Sequence, residues 1–488
     1  MKKLIALLLA AVMVMSMFAA CADTGSNQTD PPKTTSGNND TTTTPKGDTT
    51  TTPVEPGEVS TDWIIEDDTS IEGHVVFAIP FKGSQGMDAM IAEFNKIYPN
   101  IEIELYVYSN NSDGQTAMRT AVLGGEIDVW SAFGLNSAYK MWENDLGLDL
   151  TDLCEEEGID LKEQWGFDCY TYEDSIYSFP CGGLSYYIAI NMDAWKEAGL
   201  DAKYNGLPTE WTWDEYLEAS KLMTKVGADG QVEVYGGSDY HSTNYFMYTH
   251  CQVYGGDMYY NADGTASFDN DAVIAAFERE LKAELDDQIW YPKYSYRADN
   301  LQAQMTFCQG ITASTIITNV TRFLHDTATY PDVDWITGFA PYPVEEKGQT
   351  NYMSGVSPFS HAGISSTISD DEFDACWAWL KWYSTYGVKY LVAAGHQPNW
   401  RGTEAGSAIQ VIYGSEEEAE KWIDVESYNR VVGRTDLPAF AETNLTAYSE
   451  VAGSYNGYVM EAIAGEISAR EAMESAAEEA NAAIEDAD

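Results

Sequence analysis

The chain has 488 residues, and 26 Lys and Arg against 78 Asp and Glu give a formal charge of −52. A surface this negative repels phosphate backbones and anionic lipid headgroups, which excludes nucleic-acid binding by counterion release and favours a neutral or cationic ligand. With 44% hydrophobic and 21% charged residues, most of the chain has the means to bury a core.

Residues 1–20 read as a signal peptide. Lys2 and Lys3 form the positive start, Leu4 to Val14 the apolar stretch, and Ala19 and Ala20 the small residues before Cys21. The apolar run ending at Ala20 is short for a membrane span. The small-small-Cys ending resembles a bacterial lipobox, with Phe18 where that motif has Leu. This implies acylation of Cys21 and display on the outer face of the cytoplasmic membrane; an ordinary secretory signal is the competing reading. Residues 21–60 are rich in Thr and Pro and hold no aromatic residue, so they are expected as a disordered tether.

The remaining 428 residues suggest two or three domains at about 150 residues each. His74 to Phe81 is a continuous apolar run, as in a buried strand. From Gly86 the apolar spacing turns helical (Met87, Met90, Phe94), and Pro99 stops it. Ile101, Ile103, Leu105 and Val107 alternate with polar residues, predicting a strand with one wet side. A short helix over Met118 to Leu123 and a strand over Glu126 to Trp130 follow. Strand–helix alternation of this kind implies a mostly parallel sheet. Further strands are expected at Ile176 to Pro180 and Leu184 to Ile190. Thr212-Trp-Asp-Glu215 and Ser468-Ala-Arg-Glu471 read as capping boxes, and Asp370 to Tyr386 as a helix. On such helices Trp213, Trp377 and Trp379 are expected to pack rather than bind.

The reactive motifs of metalloproteases, serine hydrolases, nucleotide-binding loops and dinucleotide folds are missing, and the six His are scattered. A glycosidase carboxylate pair is defined in space, so sequence leaves it open. Asn261-Ala-Asp-Gly-Thr265 offers oxygen ligands, but an Asp-Gly hairpin turn explains it more simply than a calcium loop. Cys154, Cys169, Cys181, Cys251, Cys308 and Cys376 show no zinc spacing; a Cys169–Cys181 disulfide and buried thiols are both open. No cofactor, metal or catalytic residue is expected.

Several stretches resemble, in order, the extracellular solute-binding proteins of bacterial ABC importers, in the carbohydrate group that includes maltodextrin-binding protein. They are Phe94-Asn-Lys-Ile-Tyr-Pro-Asn-Ile101, Leu123-Gly-Gly-Glu-Ile-Asp-Val129, Ser175 to Pro180, Tyr187-Ile-Ala-Ile-Asn191, Trp195 to Leu200 and Thr212 to Tyr216. Tyr254-Gly-Gly-Asp257, Phe307-Cys-Gln-Gly310 with Ala313, Gly338 to Pro343 and Gly465 to Ala472 continue the series. The resemblance implies an α/β, two-lobed type II periplasmic-binding-protein fold with hinge crossings and ligand in the cleft. Lobe 1 is expected at 71–183 plus 345–392, and lobe 2 at 188–340 plus 396–488.

A pyranose has an apolar face and a rim of hydroxyls, so its site needs flat rings and polar donors and acceptors. The candidates are Phe81 and Lys82 after the first strand, Trp130, Phe133 and Asn136 after the third, Asp239, Tyr240, His241 and Tyr245 in the family's pocket segment, and Asn399, Trp400 and Arg401 after the return crossing. Where many members carry a stacking Trp, this chain has Ile316-Ile-Thr-Asn-Val320, so either another Trp or Tyr supplies the platform or the ligand is not a simple maltodextrin-like chain. The expected role is a lipid-anchored, monomeric receptor that delivers a sugar or oligosaccharide to importer permease subunits, without catalysis. A receptor for a non-sugar solute, a surface glycoside hydrolase and an adhesive lipoprotein are the competing readings.

Overall fold

The computed structural model describes residues 59–80, 85–166, 172, 174–240, 245–404 and 406–487. The signal peptide, Cys21 and nearly all of the tether therefore lie outside the described residues. No helix within them is long and apolar enough to cross a membrane.

The order opens β1 (Gly73–Pro80), α1 (Met87–Phe94), β2 (Ile101–Tyr108), α2 (Ser112–Leu123), β3 (Val129–Phe133) and α3 (Leu135–Trp142). After β4 (Phe179–Pro180) and β5 (Tyr187–Asn191) come α4 (Trp213–Met223), α5 (Tyr248–Tyr254) and α6 (Asp271–Leu281). Next are β6 (Ser314–Ile317), β7 (Thr337–Pro341), β8 (Ser360–Ile364) and α7 (Phe373–Ser384). Helices α8 (Tyr448–Ile463) and α9 (Ala469–Ala487) close the chain.

Two sheets organise these elements. The first has the order β2-β1-β3-β8-β4. Its first three strands are parallel, but β8 runs antiparallel to both β3 and β4, so the sheet is mixed rather than parallel throughout. The second, β7-β5-β6, is antiparallel.

Local chemistry explains where the elements begin and end. Helix α2 starts at Ser112, earlier than hydrophobic spacing suggests, because Asn111 caps it by accepting from the Gly114 amide at 2.8 Å. Both halves of the Thr212–Glu215 capping box are present, and Ser468 Oγ accepts from the Glu471 amide at 3.1 Å. The expected strand at Glu126–Trp130 lies a few residues later, at Val129–Phe133. Pro180, Gly182 and Gly183 break the expected strands on either side of them into short pieces. In β2 the alternation slips: Val107 is exposed, and Tyr108 is buried, donating its hydroxyl to Ser131 O at 2.7 Å.

One core surrounds the first sheet. Phe77 and Phe94 meet Trp379 of α7 edge-on at 5.4 and 4.9 Å, an arrangement whose truncation costs about 3–5 kcal/mol per ring. Around the second sheet, β5 is buried on both faces. Ile188 and Ile190 enter a cluster with Trp195, Trp211 and Trp290, while Tyr187 and Ala189 enter one with Phe307 and Phe339. Trp213, Trp377 and Trp379 are buried, as expected. A third cluster holds α8 and α9. Leu135 and Leu445 pack against both this cluster and the first core, so the two bodies touch there.

Candidate functional site

Three chain passes join the two bodies. Gly183–Leu184 pairs antiparallel with Ser357–Pro358. Gly183 also exchanges backbone hydrogen bonds with Gln397, both 2.8 Å, and the Gly182 amide donates to Asn399 Oδ1 at 2.9 Å. The return pass turns at Gly395, whose φ of 95° suits glycine. A Cβ there would also lie 2.7 Å from Asn319 Nδ2 and 3.2 Å from Arg322 Cζ.

This close approach gathers polar groups around the crossing. Arg322 Nη1 donates to Ala393 O at 3.0 Å and to Gln85 Oε1 at 3.4 Å, from one body to the other. Burial pulls the Arg322 guanidinium below its usual range. Half-buried Tyr240 is pushed up by burial, opposed by its hydrogen bond to Thr318 and by the Arg322 charge. Phe133, at the end of β3, lies with its ring 4.3 Å from His396. Among the buried side-chain atoms without a hydrogen-bond partner in the described residues, four lie at the crossing: Asn319 Oδ1, Arg322 Nε, Gln397 Oε1 and Asn399 Nδ2.

The structure also holds a cavity of about 1250 Å³, above the roughly 300–1,000 Å³ of ordinary small-molecule sites. Tyr139 and Tyr172 form one wall; Tyr254, Asp257, Tyr260 and Asn444 are among the residues of the other. The Tyr139 and Tyr172 rings meet edge-on at 5.8 Å. Tyr254 is 59% exposed, and its hydroxyl donates to Asn270 Oδ1 at 3.3 Å. Asp257 fixes the loop before α8 by accepting from Thr443 Oγ1 at 3.0 Å and from the Asn444 amide at 3.2 Å. Behind it, burial and then the Asp257 charge hold Glu442 well above the usual carboxylate range. His250, buried in the same wall, has both ring nitrogens on acceptors, Asp257 O at 2.8 Å and Asn261 Oδ1 at 3.2 Å. Among the described residues, no Lys or Arg lines the cavity.

The sequence candidates divide. Phe133, Tyr240 and Asn399 gather at the crossing, and Asn136 links the bodies by accepting from Ser449 Oγ. Trp130 is fully buried against Gly363 and Gly147, its ring committed to the first core. Trp400 is 1% exposed, donates Nε1 to Gln164 Oε1 at 3.0 Å and meets Tyr386 edge-on; it packs inside the first body instead of facing an opening. Arg401 Nη1 donates to Glu163 O at 3.3 Å, and buried Asp239 pairs with Lys293 at 3.0 Å. Phe81, Lys82, His241 and the Tyr245 side chain lie outside the described residues.

Sequence reasoning missed Tyr139, Tyr172 and Tyr260 and used Tyr254 only as part of a motif, because nothing local marks rings that converge from distant stretches. Residues 261–265 form a hairpin turn, in which Gly264 N donates to Asn261 O at 2.9 Å and Asp263 accepts from Thr265. Cys154, Cys181, Cys251, Cys308 and Cys376 are free and buried, while Cys169 lies outside the described residues. No group of three metal-ligating side chains occurs among the described residues.

Residues 81–425 match the profile of the bacterial extracellular solute-binding proteins. No curated protein matches the chain. Among solved structures, an ABC substrate-binding protein of Listeria monocytogenes in complex with cycloalternan superimposes with a TM-score of 0.63 at 16% identity, over 85% of this chain and 99% of that one. A sugar transporter protein of Rhizobium etli in an open conformation gives 0.63 at 14% identity, over 84% and 99%. Maltose-bound MalE3 of T. maritima gives 0.59 at 17% identity, over 83% and 98%. At these identities the shared property is the fold, the mixed α/β architecture of type II periplasmic binding proteins.

Proposed function

The chain belongs to the bacterial extracellular solute-binding protein family, and from that premise we propose that it captures a sugar or oligosaccharide between two lobes and delivers it to an ABC importer. The observation that carries this reading is the large cavity, with Tyr139 and Tyr172 on one side and Tyr254, Tyr260, Asp257 and Asn444 on the other. Rings suit the C–H faces of pyranoses, and the carboxylate and amides suit their hydroxyls. The cavity's size fits a chain of several rings, and a lining without Lys or Arg among the described residues fits an uncharged one. That the similar proteins include complexes with cycloalternan and maltose points the same way.

In this reading lobe 1 spans 71–183 plus 345–392 and lobe 2 spans 188–340 plus 396–488, with Trp400 reaching back into the first core, and closure follows rotation about the crossings. The protein acts as a monomer, held to the membrane by a lipid on Cys21 through the tether, and meets the permease in its closed form. Binding without turnover fits membership of a family of binding proteins and the similarity to a substrate-binding protein held in complex with cycloalternan.

A thermal-shift screen of the full chain against mono-, di- and oligosaccharides tests the proposal. At a hundredfold excess over Kd a ligand stabilises by about 2.7 kcal/mol, which reads as a shift of a few degrees. Stabilisation by one glycan class is the expected result. Stabilisation by a non-sugar solute alone, or turnover of a chromogenic glycoside, would overturn it.

A further inference from the structure

The family match begins at residue 81, yet residues 59–66 are built into the first core. Trp63 is 7% exposed and lies against Trp165 and Phe179 at 6.4 and 6.2 Å, and Ile64 is fully buried. The Glu66 amide donates to Tyr98 Oη at 2.8 Å, and the Glu66 carboxylate pairs with buried Lys381 at 2.5 Å. This segment is where everything amino-terminal to the fold must attach.

One residue connects the docked segment to the return crossing. Gln164 is 2% exposed. Its Nε2 donates to Ser60 O at 3.1 Å, its Oε1 accepts from Trp400 Nε1 at 3.0 Å, and its backbone carbonyl accepts from the Arg401 amide at 3.1 Å. Two residues earlier on the same pass, Asn399 holds the Gly182 amide, and Gln397 pairs with Gly183. The contacts form one continuous path: Ser60, Gln164, Trp400, Asn399, Gly182.

We propose that Gln164 is a positioning residue that couples the docked segment 59–66 to the crossing at 395–401. A primary amide holding a backbone carbonyl on one side and an indole N–H on the other fixes their separation, and burial keeps water from replacing the bond to Trp400. The segment therefore stiffens one of the strands about which the lobes turn. It also makes lobe 1 the body held at the membrane and lobe 2 the one that moves. This consequence rests on the two-lobed receptor reading; the coupling itself does not.

Hydrogen–deuterium exchange on the full chain, without ligand, separates the two. Gln164→Leu keeps the side chain's bulk and removes both side-chain bonds. It is expected to speed exchange about five- to tenfold at the amides of Gly182, Gly183, Gln397 and Arg401, as loss of buried hydrogen bonds implies. Trp63→Ala should produce the same rise at those amides besides loosening its own surroundings, and the double variant should add nothing further at the crossing. Unchanged exchange at the crossing in Gln164→Leu overturns the proposal, as does a rise confined to residues around Trp165 and Phe179. A chain that binds no sugar but shows the crossing effect overturns the receptor reading and leaves the coupling standing.

Discussion

The Asn136 side chain accepts a hydrogen bond from Ser449 Oγ, joining the start of α3 in the first body to the start of α8 in the second. Beside it Tyr139 and Tyr448 approach at 6.4 Å. The pair sits at an exposed edge and bridges the two bodies. Asn136→Ala or Ser449→Ala should weaken sugar binding about two- to fivefold, as expected for one exposed hydrogen bond. Calorimetric titration checks this, with the melting temperature nearly unchanged.

Tyr254 offers the most exposed ring of the cavity wall, 59% accessible. We predict that Tyr254→Ala lowers affinity for an oligosaccharide about three- to tenfold, the worth of one stacking contact, and leaves urea stability within about 0.5 kcal/mol of the parent. Equal affinity in variant and parent would remove Tyr254 from the site.

Lys293 is buried among Asp239, Glu280 and Glu284. Burial, opposed by Lys293, pushes the Glu284 carboxyl up to about 7. A carboxyl whose folded value is raised keeps its proton while the unfolded chain loses its own. Its contribution to stability is therefore complete below about pH 4.5 and lost as pH rises toward 7. Glu284→Gln retains an acceptor for the Lys293 amide, which Glu284 binds at 2.9 Å. Urea unfolding from pH 4.5 to 7.5 should show the variant gaining on the parent as pH rises. Lys293→Met should instead destabilise by about 3–5 kcal/mol, because it leaves buried carboxylates unpaired.

Gly363 packs flat on Trp130. A Cβ there would lie 2.5 Å from Trp130 Cζ2 and 2.4 Å from Tyr177 O. Gly363→Ala should cost about 1–3 kcal/mol in urea unfolding, as overpacking does. Loss of less than about 0.5 kcal/mol would show that Trp130 has room to move.

Much of this was legible in the sequence where local chemistry decides the outcome. The apolar run of β1, the helical spacing of α1, the Thr212 capping box and the Asp263-Gly264 turn each fold as their residues dictate. Partners distant in sequence decided the rest. Trp400, flanked by Pro398 and Arg401, reads as a loop residue until Gln164 supplies an acceptor for its indole. Asp239 reads as a ligand group until Lys293 neutralises it inside the core. The tyrosines of the cavity carry no spacing that would betray them, because Tyr139 and Tyr254 come to one opening from stretches far apart in the chain. Asn319 was noticeable as a missing Trp, yet its unpartnered oxygen is visible only in three dimensions.

The most direct test of the central claim is calorimetric titration of the full chain with a ladder of neutral oligosaccharides from one to six rings. The account predicts saturable binding of one glycan class at a single site, tighter for a chain than for its monosaccharide and weakened by Tyr254→Ala. No heat with any sugar, from protein whose unfolding remains cooperative, would contradict it.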